Sequence, residues 1–214
     1  MGILLSVSGI RKSYGARTLF ENLSLSIADG NRTGLIGPNG SGKTTLLEIL
    51  AGREAADAGE RALRKLTKMA YVPQDSLFGP EETVGSVLRA AMEGLPLLDE
   101  EKAARTQMML GRAGFDTLST PASALSGGWR KRLGIAAALV MSPDLLLLDE
   151  PTNHPDLESI LWLERSIQTV NACLVVTHDR YFLENVPTGM FTGLAARGAP
   201  PLAEGPVFSF SNAV

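Results

Sequence analysis

Cysteine is nearly absent from this chain of 214 residues: it has one, Cys173. A disulfide framework within the chain is therefore excluded. The thiol lies in the apolar run Ala172–Val176 and reads as a buried core group in a reducing compartment, which points to the cytoplasm. An excess of one charge is missing too. The 20 Lys and Arg against 23 Asp and Glu leave a net charge of −3, and the sequence pI is near 5.5. Composition thus gives no broad electrostatic footprint for nucleic acid or an anionic membrane. Long apolar runs are also lacking: Leu133–Met141 and Leu145–Leu148 fall far short of the roughly 18 to 20 residues that cross a bilayer, so no membrane insertion is expected. The first residues lack the basic region and cleavage site of a signal peptide, and Ile3–Val7 reads as an opening strand. The length suits one sizeable domain with a real hydrophobic interior.

What is present centres on Gly37-Pro38-Asn39-Gly40-Ser41-Gly42-Lys43-Thr44-Thr45. This stretch gives up hydrophobic pattern and fits G-x-x-x-x-G-K-[ST]. Its glycines let the backbone curl around an anion, and the helix that starts near Gly42 aims its positive end at it. Lys43 is placed to reach β- and γ-phosphates, and Thr44 a Mg²⁺ ion.

Before that loop, short β-rich runs alternate with turns: Ile3–Val7, Asn22–Ile27 and Arg32–Ile36. They read as an N-terminal antiparallel β-subdomain that hands its last strand to the loop. Tyr14, on an expected loop, is a candidate to stack on a base, worth roughly 1 to 3 kcal/mol by analogy with nucleic acid. Thr44–Ala51 reads as a buried helix stopped by Gly52, and Leu63–Val72 contains a strand after which Pro73 leaves Gln74 on a loop. Helices are expected over Glu81–Gly94 and Leu98–Gly114, with Glu81, Glu82 and Asp99–Glu101 as acidic first turns.

The Ser/Gly-rich turn Ala122–Gly128 precedes a helix from about Trp129 to Met141, a second helix N-terminus suited to an anion; Arg130-Lys131-Arg132 beside it could assist there, but such a run is usually a solvated face. Leu145–Leu148 is a run typical of a strand buried on both faces, and it ends abruptly in Asp149-Glu150. Ligands of open α/β sheets bind beyond the carboxyl ends of strands, so these carboxylates point back to the phosphate loop. Ala172–Val176 is the next such strand, and it delivers His178 to the same edge. From about Pro187 repeated Gly and Pro break the pattern; Arg197–Pro206 reads as loop or disorder and Val207–Phe210 as a last short strand.

Together these residues resemble the nucleotide-binding domain of ATP-binding cassette (ABC) ATPases, from Tyr14 to about Val186. The resemblance makes Gly37–Thr45 the Walker A loop, Leu145–Asp149 with Glu150 the Walker B strand and catalytic carboxylate, and Gln74 the Q-loop. It also makes Leu125–Trp129 the signature loop, with Trp129 where Gln is more usual, Tyr14 the adenine-stacking aromatic, Asp156 the D-loop acid and His178 the switch histidine. The segments Glu150–Asp156 and Thr177–Leu183 resemble the ABC-F group of tandem ATPases, many of which act on ribosomes. The implied fold is α/β of the P-loop NTPase type: a mixed or parallel core sheet, the antiparallel β-subdomain, and a helical subdomain over about 76–142. One domain over 1–190 and a poorly patterned tail over 191–214 are expected.

The resemblance implies ATP binding and Mg-dependent hydrolysis, with Thr44, Gln74 and Asp149 in the Mg²⁺ shell, Glu150 polarising the attacking water and His178 holding the γ-phosphate. Ser126, Gly127 and Gly128 would act in trans on a second nucleotide-binding domain. Three departures stand out. Pro155 replaces the family's usual Leu and fixes φ in the D-loop. Asp75–Ala124 leaves little room for the extended arm of many ABC-F members, and the chain carries one domain where they carry two. A transporter motor subunit and a binding module or truncated fragment with little turnover are the alternative readings.

Overall fold

Two kinds of strand are written into the sequence, and the computed structural model, which describes residues 2–152, 157–179, 182 and 189–192, puts them in different sheets. In β1 (Ile3–Tyr14) and β2 (Arg17–Ala28) apolar and polar residues mix; in β2 Leu23, Leu25 and Ile27 are buried while Ser24 and Ser26 face solvent. That is the pattern of strands with one wet face. They pair antiparallel, and β4 (Ala58–Leu63) joins β1 on its other side in a three-stranded sheet. β1 runs well past the expected Val7 and carries Tyr14 at its very end, so the expected loop is a two-residue turn, Gly15-Ala16.

The second sheet is parallel throughout, in the order β5 (Met69–Val72), β6 (Leu145–Asp149), β7 (Ala172–Val176), β3 (Arg32–Ile36), β8 (Gly189–Thr192). Every residue of β6 and β7 is buried. Alternate side chains feed two layers: Leu145, Leu147, Leu174 and Val176 pack in one apolar cluster, and Leu146, Leu148, Cys173 and Val175 in another. β3 corrects the expectation for the N-terminal subdomain. It leaves the antiparallel unit and lies between β7 and β8, because Thr33, Gly34 and Leu35 are consecutive buried residues that need cover on both faces. β8 was not legible amid the Gly- and Pro-rich tail, and the expected strand Val207–Phe210 lies outside the described residues.

Helix α1 (Lys43–Ala51) is clamped between the two sheets: Leu46, Leu47, Ile49 and Leu50 are at most 2% exposed. At about 2 kcal/mol for each buried aliphatic side chain, this helix is held by packing more than by propensity. Its rigidity sets the position of the loop before it. On the opposite side α4 (Gly127–Val140) and α5 (Leu157–Ile167) cover the parallel sheet. A third cluster joins α4 to α2 (Val84–Ala90) and α3 (Asp99–Ala113), around Leu88, Met109 and Leu133.

α2 is shorter than Glu81–Gly94 and starts at the Thr83 capping box, so Glu81 and Glu82 precede it; Glu82 instead accepts a hydrogen bond from the Gly79 amide. α3 does carry its acidic first turn, and of the Met pair on it Met109 is buried and Met108 exposed. Among the described residues no helix is long and apolar enough to cross a membrane.

Candidate active site

The loop Gly37–Gly42 connects the end of β3 to the start of α1, so a buried strand and a buried helix fix both its ends. Gly42 is the helix N-cap at φ 92°, a left-handed conformation that a side chain rarely adopts, and an added Cβ would lie 3.2 Å from Leu19 Cβ. No side chain caps this N-terminus, which leaves its backbone amides to whatever enters the loop. Lys43 is 8% exposed and folds over the loop, donating to the carbonyls of Gly37 at 2.8 Å and Pro38 at 3.0 Å. Burial pushes its pKa down, opposed by the charges of Glu150 and Asp149. Ser41 is buried with an unpartnered hydroxyl.

β6 and β7 bring the acidic residues and the histidine to the same edge. Asp149, the last residue of β6, is 1% exposed, and neither of its carboxylate oxygens has a hydrogen bond of normal geometry, although the Thr44 hydroxyl stands near enough to influence it. Burial raises its pKa; the Thr44 hydroxyl and the cations of Lys131 and Lys43 pull the other way. An orphaned buried carboxylate is costly unless something binds it. With the hydroxyl of Thr44 and the amide of Gln74 lining the same cleft, the donor set is all oxygen and fits a hard divalent cation such as Mg²⁺.

Glu150 leaves the strand at φ 44°, a left-handed conformation that costs on the order of 1 kcal/mol or more for a residue with a side chain. It is held there by its amide, which donates to Val176 O at 2.8 Å. Its carboxylate meets His178 twice: Oε1 lies 3.0 Å from the imidazole Nε2, and Oε2 accepts from the His178 amide at 3.3 Å. Burial raises the pKa of Glu150, against the opposing influence of His178 and Lys43. Beside this pair the hydroxyls of Thr152 and Thr177 lie 2.6 Å apart and tie the two strand ends together.

These groups open onto one cleft of about 580 Å³. Asn39, Gly40 and Gly42 to Thr45 form its floor, Gln74, Asp149, Glu150 and His178 one wall, and Tyr14 the mouth. The ring of Tyr14 is half exposed, and its hydroxyl donates to Glu54 Oε1 at 2.7 Å. Gly37, Pro38 and Ser41 do not line the cleft but support the loop beneath it.

Ser126, Gly127 and Gly128 are elsewhere. Ser126 caps α4, its hydroxyl accepting from the Trp129 amide at 3.4 Å, and the two glycines line a separate cleft of about 420 Å³ with Gln74, Asp75 and Lys131. Asp156 and Pro155 lie outside the described residues.

Two features escaped the sequence reading. Of the run Arg130–Arg132 only Arg130 is a solvated residue. Lys131 Nζ donates to the carbonyls of Gln74 and Pro73, and Arg132, 6% exposed, is sandwiched between the rings of Trp129 and Trp162, each 4.8 Å from its guanidinium carbon. Arg17 also lines the nucleotide-sized cleft, with no motif around it to announce it. The available signal was its place in the hairpin, three residues after Tyr14.

An uncapped helix N-terminus after a buried strand, facing an orphaned aspartate and a carboxylate–histidine pair on neighbouring parallel strands, defines a P-loop nucleotide-binding domain. More narrowly, the chain belongs to the ABC transporter family, whose model matches residues 20–153. It is 34% identical to the ABC transporter ATP-binding protein YfmR of Bacillus subtilis over 88% of this chain and 36% of that one. With the energy-dependent translational throttle protein EttA of Escherichia coli K12, an ABC-F protein, it shares 38% identity over 86% of this chain and 34% of the relative. The chain thus spans about a third of the length of these curated relatives, and its likeness supports an ATPase domain of ABC-F type. Among solved folds, the dimeric post-hydrolysis state of the ATP-binding cassette MJ0796 bound to ADP and Pi matches with a TM-score of 0.77, at 22% identity over 88% of this chain and 94% of that one.

Proposed function

We propose that this chain is a cytoplasmic ABC-F-type cassette that binds ATP, hydrolyses it with Mg²⁺, and couples its nucleotide state to closure of a dimer of such domains. The observation that carries this reading is the convergence of Lys43, the unpartnered Asp149 and the Glu150–His178 pair on one cleft. Phosphoryl transfer asks mainly for positioning and for charge stabilisation, and these residues supply both. The amides at the start of α1 and the Lys43 ammonium neutralise charge on the phosphates. Lys43 reaches them by exchanging the Gly37 and Pro38 carbonyls for phosphate oxygens.

Thr44, Asp149 and Gln74 hold Mg²⁺, which supplies further neutralisation of the phosphate oxygens when bound. Among the described residues no three His, Cys, Asp or Glu side chains are grouped to cage a metal, which suits an ion that keeps water and phosphate ligands. Glu150 accepts the proton of the attacking water; its raised pKa brings it closer to neutral pH, where a general base works best. The His178 amide holds Glu150 in place, and its imidazole N–H passes from Glu150 Oε1 to the γ-phosphate. Tyr14 stacks the base.

Ser126, Gly127 and Gly128, which do not line this cleft, complete the site of a partner domain, and Asp156 carries the link between the two. The working unit is therefore a pair: a homodimer, or this domain with another cassette. The domain runs over 1–190 with its helical subdomain over about 76–142 and a tail beyond. EttA's name places it in translation, which supports the ribosome as the particle acted upon. The YfmR description favours the second reading, a transporter motor.

Steady-state phosphate release with and without ribosomes tests the proposal. Ribosome-stimulated turnover that grows more steeply than linearly with protein concentration is expected. Turnover strictly linear from the lowest dilution would remove the paired site, and copurification with a membrane permease in place of ribosomes would favour the transporter reading.

A further inference from the structure

The base platform and the phosphate loop sit on different sheets, and one residue joins them. Tyr14 ends β1 and Arg17 begins β2, and the two are direct partners across the hairpin. From there the Arg17 guanidinium reaches the middle of the loop, where its Nη2 donates to Gly40 O at 2.8 Å. This approach depends on Gly40: the residue sits at φ 76°, and an added Cβ would be 3.3 Å from Nη2. Arg17 thus lies between the ring that faces the base and the loop that faces the β- and γ-phosphates.

Its charge is available. Among the described residues no carboxylate lies within ion-pair distance of Arg17, although the cleft it lines contains both Asp149 and Glu150. Lys43, the other cation of the cleft floor, is folded onto Gly37 and Pro38 deeper in the loop. The contact with Gly40 uses one of the five N–H donors of a guanidinium and leaves a planar fork of the kind that matches phosphate oxygens two at a time. What separates a base from its β- and γ-phosphates is the ribose and the α-phosphate.

We infer that Arg17 is a nucleotide-binding residue of this site, clamping the α- and β-phosphate oxygens of the nucleotide while it holds the loop through Gly40. The inference rests on the ATP-site reading and adds a residue to it. A polyphosphate ligand is required, so the contribution scales with the phosphates and not with the base.

Competition against a fluorescent ATP analogue, with ATP, ADP and adenosine as competitors, tests this on the full chain and on Arg17→Ala, Arg17→Gln and Arg17→Lys. Loss of a charge-assisted fork is expected to weaken ATP and ADP about tenfold in Arg17→Ala and leave adenosine within about twofold, with Arg17→Lys in between. Arg17→Gln is uncharged and also too short to reach the Gly40 carbonyl, so it loses both jobs of the side chain; Arg17→citrulline, introduced by semisynthesis, keeps the length and the donor to Gly40 and loses only the charge. Weakening in Arg17→citrulline as large as in Arg17→Ala supports phosphate binding. Wild-type affinity in Arg17→citrulline, or equal losses for adenosine and ATP, would overturn it and leave Arg17 as a support for the loop or the Tyr14 ring. Failure of the wild-type chain itself to bind the analogue would instead sink the ATP-site reading.

Discussion

Two helices in this molecule begin after Gly/Ser-rich turns, and they treat their N-termini oppositely. α1 starts from Gly42, which has no side chain to cap it, and buried charges surround it: Lys43 from its own first turn, Asp149 and Glu150 from across the sheet edge. α4 starts from Ser126, whose hydroxyl occupies the Trp129 amide; Ser126 and Gly127 are exposed and Gly128 half-buried, with nothing within 4 Å of where a Cβ would stand on Gly127 or Gly128. On the proposed function the first end holds a ligand within this chain, and the second, capped by its own serine, is offered to a partner domain. What separates the two in the structure is burial of the charges around the first.

Breaking the first end should cost most. Glu150→Gln is expected to lower phosphate release by at least about 100-fold while ATP affinity, measured by titration, is retained. With Glu150 as the proposed base, burial holds its proton on, so the acidic limb of the wild-type rate profile should lie above the value of a free glutamate. Lys43→Ala should weaken ATP about tenfold or more by equilibrium binding, since it removes the cation aimed at the phosphates.

The second end should show the reverse split. Ser126→Ala is expected to leave ATP affinity of the isolated chain within about twofold and to lower only the turnover that depends on protein concentration. Equal losses in both measurements would erase the distinction between the two ends.

The smallest effect serves as a control remote from both ends. Asp29 is held at a pKa of about 2 by Arg64, Asn171 and the Gly2 amide, against 3.8 for the free group. A depressed carboxylate contributes stability above its unfolded pKa and loses it as pH falls through the folded one. Asp29→Asn should therefore flatten acid unfolding between about pH 4 and 2, followed by circular dichroism, without touching either helix end.

Legibility followed burial and contiguity. The Leu145–Leu148 run and Ala172–Val176 announced strands buried on both faces, and both lie side by side in the parallel sheet, with Asp149 and Glu150 at one carboxyl end and His178 just beyond the other. The cradle was readable because its motif is local. β4, exposed along nearly its whole length, has no hydrophobic pattern to read, and it exists because β1 offers it an edge. Arg17 and Lys131 were missed for a related reason: what each does is set by a carbonyl on another element, Gly40 in one case and Gln74 in the other. The charge run around Arg132 misled because two aromatic rings close over it, Trp129 one turn earlier on α4 and Trp162 from the distant α5.

That sandwich has a practical consequence. The chain has only two tryptophans, and both lie against the same guanidinium, one on α4 just after the Ser126–Gly128 turn and one on α5. The tryptophan emission of this chain is thus a single-site signal from the seam between these helices. Any swing of α4 against α5 changes the stacking on Arg132 and with it the emission, so the molecule carries its own optical gauge and needs no label.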